Sequence, residues 1–256
     1  MRPILFSFDG LEIYSFGVLL LLGFLLGLFV LRYLAVRYEL NFSFIRRSLL
    51  GLVLVALIGA RVFDAIFTGQ YLPWSGGLAL NGAVIASLFY FRQPAQGVRQ
   101  NLRAWLDIIT VAALFAAVLG YLGYFLQGRG LGAVTGISWL SWSVIERIDF
   151  SNSGLPVLPL ALIMMLVCLV LAGALLLLLQ RVQRKGVVFC LGWTGYYLAV
   201  WLTEGMRASD DITYYLGELN VTRWVAAMFF ILGLAWLLFS VVSLEVAKKR
   251  RRHGKV

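Results

Sequence analysis

Seven stretches of this chain are each long and apolar enough to reach across a bilayer: about 13–36, 48–68, 74–91, 105–126, 156–180, 186–204 and 221–243. A hydrocarbon core about 30 Å thick takes roughly 20 apolar residues in helical form. Within it every backbone polar group must be satisfied inside the segment, so helices are the economical solution. The fold class expected is therefore an all-α integral membrane protein with seven transmembrane helices. The third stretch is short and carries Gly76, Gly77, Asn81 and Gly82, which predicts a tilted or irregular course. Composition agrees: 61% of the 256 residues are hydrophobic, 13% are charged, and mean hydropathy is +0.89. A soluble domain has no interior large enough for that surface. The first stretch is too long for a cleavable signal segment, and no small-residue cleavage site follows it. Cys168 and Cys190 both fall in apolar runs, which argues against a disulfide framework.

A formal charge of +10 would suggest nucleic acid if it were clustered on a soluble face, but here it follows the connections between spans. Arg32, Arg37, Arg46 and Arg47 flank the first connection, Arg92, Arg99 and Arg103 the third, and Arg181, Arg184 and Lys185 the fifth. Lys248, Lys249, Arg250, Arg251, Arg252 and Lys255 end the chain. Basic residues concentrate on the cytoplasmic side of membrane proteins. That places the amino terminus outside and the carboxyl terminus in the cytoplasm, with no nucleic-acid partner expected. The basic tail, 248–256, would attract anionic lipid. Residues 1–247 form one transmembrane domain, since no repeat of 20–50 residues and no linker divides them. The opposite side receives 128–154 and 205–220, enough for a small extracytoplasmic cap. Within it Trp139 and Trp142, three apart, suggest a short interfacial helix.

Polar chemistry gathers at Leu119–Gly132, LGYLGYFLQGRGLG. Upstream, Ala113, Ala116, Ala117, Gly120 and Gly123 make a small face that admits another helix backbone closely. Tyr121, Tyr124, Gln127 and Arg129 follow, interleaved with glycines. Residue chemistry alone reads this as a helix end with an aromatic belt and a loop. Other spans bring charges to a similar depth. Arg61 and Asp64 lie in the second, and Glu204 closes the sixth with Arg207 beyond; Asp107 sits near the opposite, cytoplasmic start of the fourth. Two of these sets are Arg–acid pairs at three-residue spacing, and the bland account of each is an ion pair within one helix. Their shared depth points instead to a cavity for a polar headgroup, because intramembrane charges are costly and need a reason.

The order of motifs resembles the prolipoprotein diacylglyceryl transferases of bacteria. EIYSFG at 12–17 is similar to that family's first-helix opening. GARVFDAIF at 59–67 resembles its GGRIGYVLF-type segment with Arg61 on the arginine, and SGGLALNGA at 75–83 its DGGMSFHGG-type motif. LDIITV at 106–111 keeps an aspartate as Asp107. GYLGYFLQGRGLG at 120–132 takes the place of GRxGNFxNGExxG, and GYYLAVWLTEGMRASD at 195–210 resembles GYxxFRxxxExxRxPD. The resemblance implies a bacterial cytoplasmic (inner) membrane protein of seven spans. Its partners would be a phospholipid, phosphatidylglycerol, and a lipoprotein signal peptide, and it would need neither cofactor nor metal. The family reaction moves a diacylglyceryl group to a lipobox cysteine thiol and releases glycerol phosphate.

Several positions differ in kind. Asn81 stands at the family's histidine, Tyr121 at an arginine, Tyr124 at an asparagine, Arg129 at a glutamate and Val200 at a second arginine; of a PSQxYE motif only Pro159 remains. Arg61, Asp107, Glu204, Arg207 and Asp210 are kept, and the one histidine, His253, lies in the tail. Losing a single donor to a developing anion costs about 10²–10³ in rate. The expected site therefore has Arg61, Asn81, Tyr121, Tyr124, Gln127 and Arg207 binding substrate. For any chemistry, Glu204 would accept a proton and Arg129 would supply a displaced positive charge. Two readings stay open: a diverged relative that binds lipid or lipoprotein with or without transfer, and a small transporter or structural partner subunit.

Overall fold

The computed structural model describes residues 4–8, 11–68, 80–97, 102–135, 142–143, 156–182, 184–207, 215–216 and 219–253. A hairpin of β1 (Ile4–Phe8) and β2 (Leu11–Tyr14) leads into α1 (Ser15–Arg37). Then follow α2 (Phe42–Thr68), α3 (Leu80–Gly97) and α4 (Leu102–Leu126). The pair β3 (Trp142–Ser143) and β4 (Pro156–Val157) precedes α5 (Leu160–Arg181) and α6 (Val187–Glu204). Finally β5 (Tyr215–Leu216) and β6 (Leu219–Asn220) introduce α7 (Val221–His253). Among the described residues, five of the seven helices are long and apolar enough to cross a membrane: Ser15–Arg37, Arg46–Phe67, Leu102–Leu126, Leu160–Arg181 and Val221–Phe239. The apolar part of α3 is the shorter Leu80–Tyr90. At 18 residues α6 is about 27 Å long, and Thr194, Tyr196, Tyr197 and Glu204 dilute its apolar character.

Trp142 departs from the expected interfacial helix. Its backbone is strand, with Trp142 opposite Val157 and Ser143 opposite Pro156. Trp139 and most of the segment around it, 136–141 and 144–155, lie outside the described residues, as do Asp210, Arg99 and 254–256. The basic tail begins as a continuation of α7, which runs on to His253.

Small residues decide which helices touch. Against α1, α4 packs by Ala116 and Gly123: a Cβ at Gly23 would lie 2.7 Å from the Ala116 carbonyl oxygen, and one at Gly123 would lie 3.2 Å from Phe16 Cα. Such close approach gathers dispersion contacts in a medium where burial alone drives nothing. Gly59 and Gly82 play the same part for α2 and α3. Further contacts run α4 to α5, α5 to α6 and α6 to α7, with α4 also meeting α6 directly and α1 touching α2. Leu31, Leu34, Trp105, Ile108, Leu175 and Val188 make the dry core where α1, α4, α5 and α6 meet. Tyr38 fixes that end by donating to the Leu179 carbonyl at 2.8 Å.

Chain direction alternates from helix to helix, so α4 and α6 run parallel. Their lower contact starts where α6 starts. Gly186, at φ 99°, occupies the position before the first helical residue and has no side chain to satisfy the exposed N–H groups. Asp107 of α4 does so instead: the N–H of Gly186 donates to its Oδ2 at 2.5 Å and that of Phe189 to its Oδ1 at 2.7 Å. A carboxylate at a helix amino terminus also meets the positive end of the helix dipole. One turn on, Gly192 sits against Thr110.

Candidate functional site

The upper contact between α4 and α6 holds four of the polar residues singled out above: Tyr121, Tyr124, Glu204 and Arg207. Tyr121, one turn before the end of α4 and half-buried, shares a hydroxyl–hydroxyl hydrogen bond of 2.9 Å with Tyr196 of α6. Tyr124 is next along the same face. Its hydroxyl accepts from Nη2 of Arg207 at 2.8 Å, while Nη1 of Arg207 donates to Glu204 Oε1 at 2.6 Å. The expected three-residue ion pair is present, but its arginine also crosses to a second helix. The side chains of Arg207 and Glu204 are 14% and 11% exposed, so the pair is largely out of solvent. Charge-assisted bonds in such surroundings are shorter and stronger than neutral ones. Glu204 Oε2 is buried and accepts no hydrogen bond among the described residues.

The glycine loop after α4 locks this arrangement. Arg129 N–H donates to the Tyr124 carbonyl at 3.1 Å, closing the helix. Gly132 N–H then donates to the Leu158 carbonyl, Ala133 N–H to the Met206 carbonyl, and Ala161 N–H to the Gly130 carbonyl. Gly132 and Arg207 face each other in a β-bridge. The loop is thus stitched to the start of α5 and to the end of α6 together. Gly130 has φ 69°, and a Cβ there would lie 2.8 Å from both the Tyr124 ring and Ala161 Cβ. Only glycine suits that combination of conformation and space.

Arg61 and Asn81 belong to the α2–α3 pair. Arg61 Nη1 donates to Asp64 Oδ2 at 2.5 Å, and Asp64 is 1% exposed. Asn81 is buried in the first turn of α3, beside the crossing of Gly59 and Gly82. Both lie at the same end of the bundle as Tyr124 and Arg207, because α2 ends and α3 begins there. Gln127 is half-buried just past α4, and Arg129 is exposed. Tyr196 was not among the expected site residues; its signal was its place in the GYY of 195–197, directly before the acidic segment. Among the described residues no group of three or more His, Cys, Asp or Glu gathers as metal ligands would.

A helical bundle with five membrane-length apolar helices and a buried Arg–Glu–Tyr cluster at one end defines an integral membrane protein with a polar site at the end of its bundle. Residues 3–239 match the family model described as prolipoprotein diacylglyceryl transferase, and the chain belongs to that family. It is similar to the phosphatidylglycerol–prolipoprotein diacylglyceryl transferase of Synechococcus elongatus, 28% identical over 92% of this chain and 87% of the relative. Phosphatidylglycerol–prolipoprotein diacylglyceryl transferase 1 of Clostridium perfringens is 25% identical over 98% of both chains. The Clostridium novyi enzyme of the same name is 22% identical over 95% of this chain and 97% of the relative.

Proposed function

We propose that this membrane protein holds the headgroup of phosphatidylglycerol between the upper ends of α4 and α6, and that diacylglyceryl transfer to a lipobox cysteine is slow or absent. The observation that carries the reading is the Tyr124–Arg207–Glu204 connection, which joins the segment replacing the family's glycine-rich signature to the retained ExxR segment. Arg207 supplies the cation for the phosphate. Glu204 Oε2 is a buried acceptor for a glycerol hydroxyl or, with a lipoprotein signal peptide bound, for the thiol proton. Tyr121 and Tyr196 offer hydroxyls to ester oxygens, and Arg61, Asn81 and Gln127 complete the lining, with Arg129 at the entrance. The weak point for catalysis is charge: Tyr121, Val200 and Asn81 stand where the resembling family has two arginines and a histidine. Neutral donors stabilise a leaving phosphate less than cations do.

In this reading all seven helices cross the bacterial cytoplasmic membrane, α3 and α6 completing their spans against neighbours. The site and the short strand pairs face outward. Residues 1–247 form the membrane domain, and the basic tail at 248–256 lies on anionic lipid in the cytoplasm. No cofactor enters the scheme.

Complementation tests it. The chain is expressed in cells depleted of their own transferase, and prolipoprotein processing is followed by mobility and mass. Little or no rescue is expected while the purified protein still binds phosphatidylglycerol. Full rescue would show that Glu204 and Arg129 sustain turnover, and absence of lipid binding would remove the site itself.

A further inference from the structure

Beside this site, on the outer surface of the same helix end, lies an arginine in a different condition. Arg223 is in the first turn of α7, and the apolar span Val221–Phe239 begins at the same level. Its guanidinium carbon sits 5.5 Å from the centre of the Trp201 ring. It also packs on the last turn of α6 so closely that a Cβ at Gly205 would lie 3.3 Å from it. Arg61 donates to a carboxylate within α2, and Arg207, just past α6, donates to the one that closes α6. The Arg223 side chain is exposed, and among the described residues its guanidinium has no carboxylate within ion-pair distance and donates no hydrogen bond. An aromatic face orients a guanidinium without occupying its N–H groups. Below it an exposed apolar stripe runs down α7 at helical spacing: Trp224 at 62%, Met228 at 51% and Ile231 at 62% exposed.

A planar cation at the level where a span begins, an indole face against it and an exposed apolar stripe beneath have the parts of one phospholipid in order. We propose that Arg223, with Trp201 and Trp224, docks an anionic phospholipid of the surrounding bilayer on the α6–α7 surface, outside the Tyr124–Arg207–Glu204 site. The guanidinium fork takes the phosphodiester oxygens. The indoles sit at headgroup level, where tryptophan is favoured, and the acyl chains lie along Trp224, Met228 and Ile231. An anionic headgroup is preferred to a zwitterionic one, since a choline ammonium would offset the phosphate charge. The docking place is one turn of α6 from Glu204, so it would hold lipid within reach of the site.

The test uses full-length protein in nanodiscs of equal phosphatidylglycerol and phosphatidylcholine, with retained lipids counted by native mass spectrometry. Arg223→Gln is expected to lower the phosphatidylglycerol preference roughly fivefold, the effect of one basic residue near a membrane surface. Trp201→Leu, which keeps the charge but removes its platform, is expected to fall between. The loss must appear equally in an Arg207→Gln background. An unchanged preference in Arg223→Gln overturns the proposal. So does a loss that vanishes once Arg207 is replaced, because the lipid counted was then in the inner site. Should Arg223→Gln fail to fold, Arg223→Lys decides: a twofold or larger drop supports a fork on phosphate, and none overturns it.

Discussion

The two ends of the α4–α6 contact each carry one carboxylate largely out of solvent, and they use it differently. At the lower end both oxygens of Asp107 are taken by backbone N–H groups of Gly186 and Phe189. At the upper end Oε1 of Glu204 is held by Arg207, while Oε2 is buried and accepts nothing among the described residues. A saturated carboxylate beside a helix amino terminus is an anchor. A carboxylate with an oxygen in reserve, tied to an arginine that also reaches Tyr124, suits the proposed role of accepting from a bound lipid. Buried acceptors left unmet are rare enough to need such a reason.

Breaking the lower end gives the largest effect. Asp107→Ala leaves two donors at the start of α6 unmet, one buried and one part-buried, each worth about 1–3 kcal/mol when out of solvent. The expected loss is about 3 kcal/mol of stability, read as a lower melting temperature in detergent. A variant as stable as the parent would show that Asp107 is no anchor.

At the upper end the loop is the sensitive part. Gly130→Ala forces a side chain into the left-handed region and against Tyr124 and Ala161, at a cost of about 2 kcal/mol. Gly120→Ala, ten residues earlier on α4, meets open space and is expected to be neutral or slightly favourable, since alanine suits a helix better. Equal melting temperatures for the two variants would contradict the stitched loop.

The smallest effect on stability is expected from Tyr121→Phe. It removes the 2.9 Å bond to Tyr196 and leaves the ring in place, so about 1 kcal/mol is lost. A larger loss would mean that the pair props the two helices apart and does more than line the site.

What was legible in the sequence follows from the range of each interaction. The helices were, because apolar runs are local, and so was the small face of α4, where Ala116 and Gly123 meet α1 while Gly120 meets nothing. The Glu204–Arg207 pair was readable from its spacing alone. Its bond to Tyr124 spans 83 residues and was not. Asp107 shows the same limit: the residue stood out in its motif, but its partners lie 79 and 82 residues away. Trp142 failed for another reason. Three-residue spacing of tryptophans suggested a helix, and backbone pairing with Pro156 and Val157 overrode it.

The central claim is that the upper end, with Arg207 between Glu204 and Tyr124, holds a lipid phosphate. Its most direct measurement is the affinity of purified protein for phosphatidylglycerol with and without Arg207→Gln, both in an Arg223→Gln background that removes the surface lipid. Replacing one charge-assisted contact to phosphate should weaken binding about tenfold, with the protein still folded by melting temperature. Undiminished affinity in a folded Arg207→Gln protein would contradict the account.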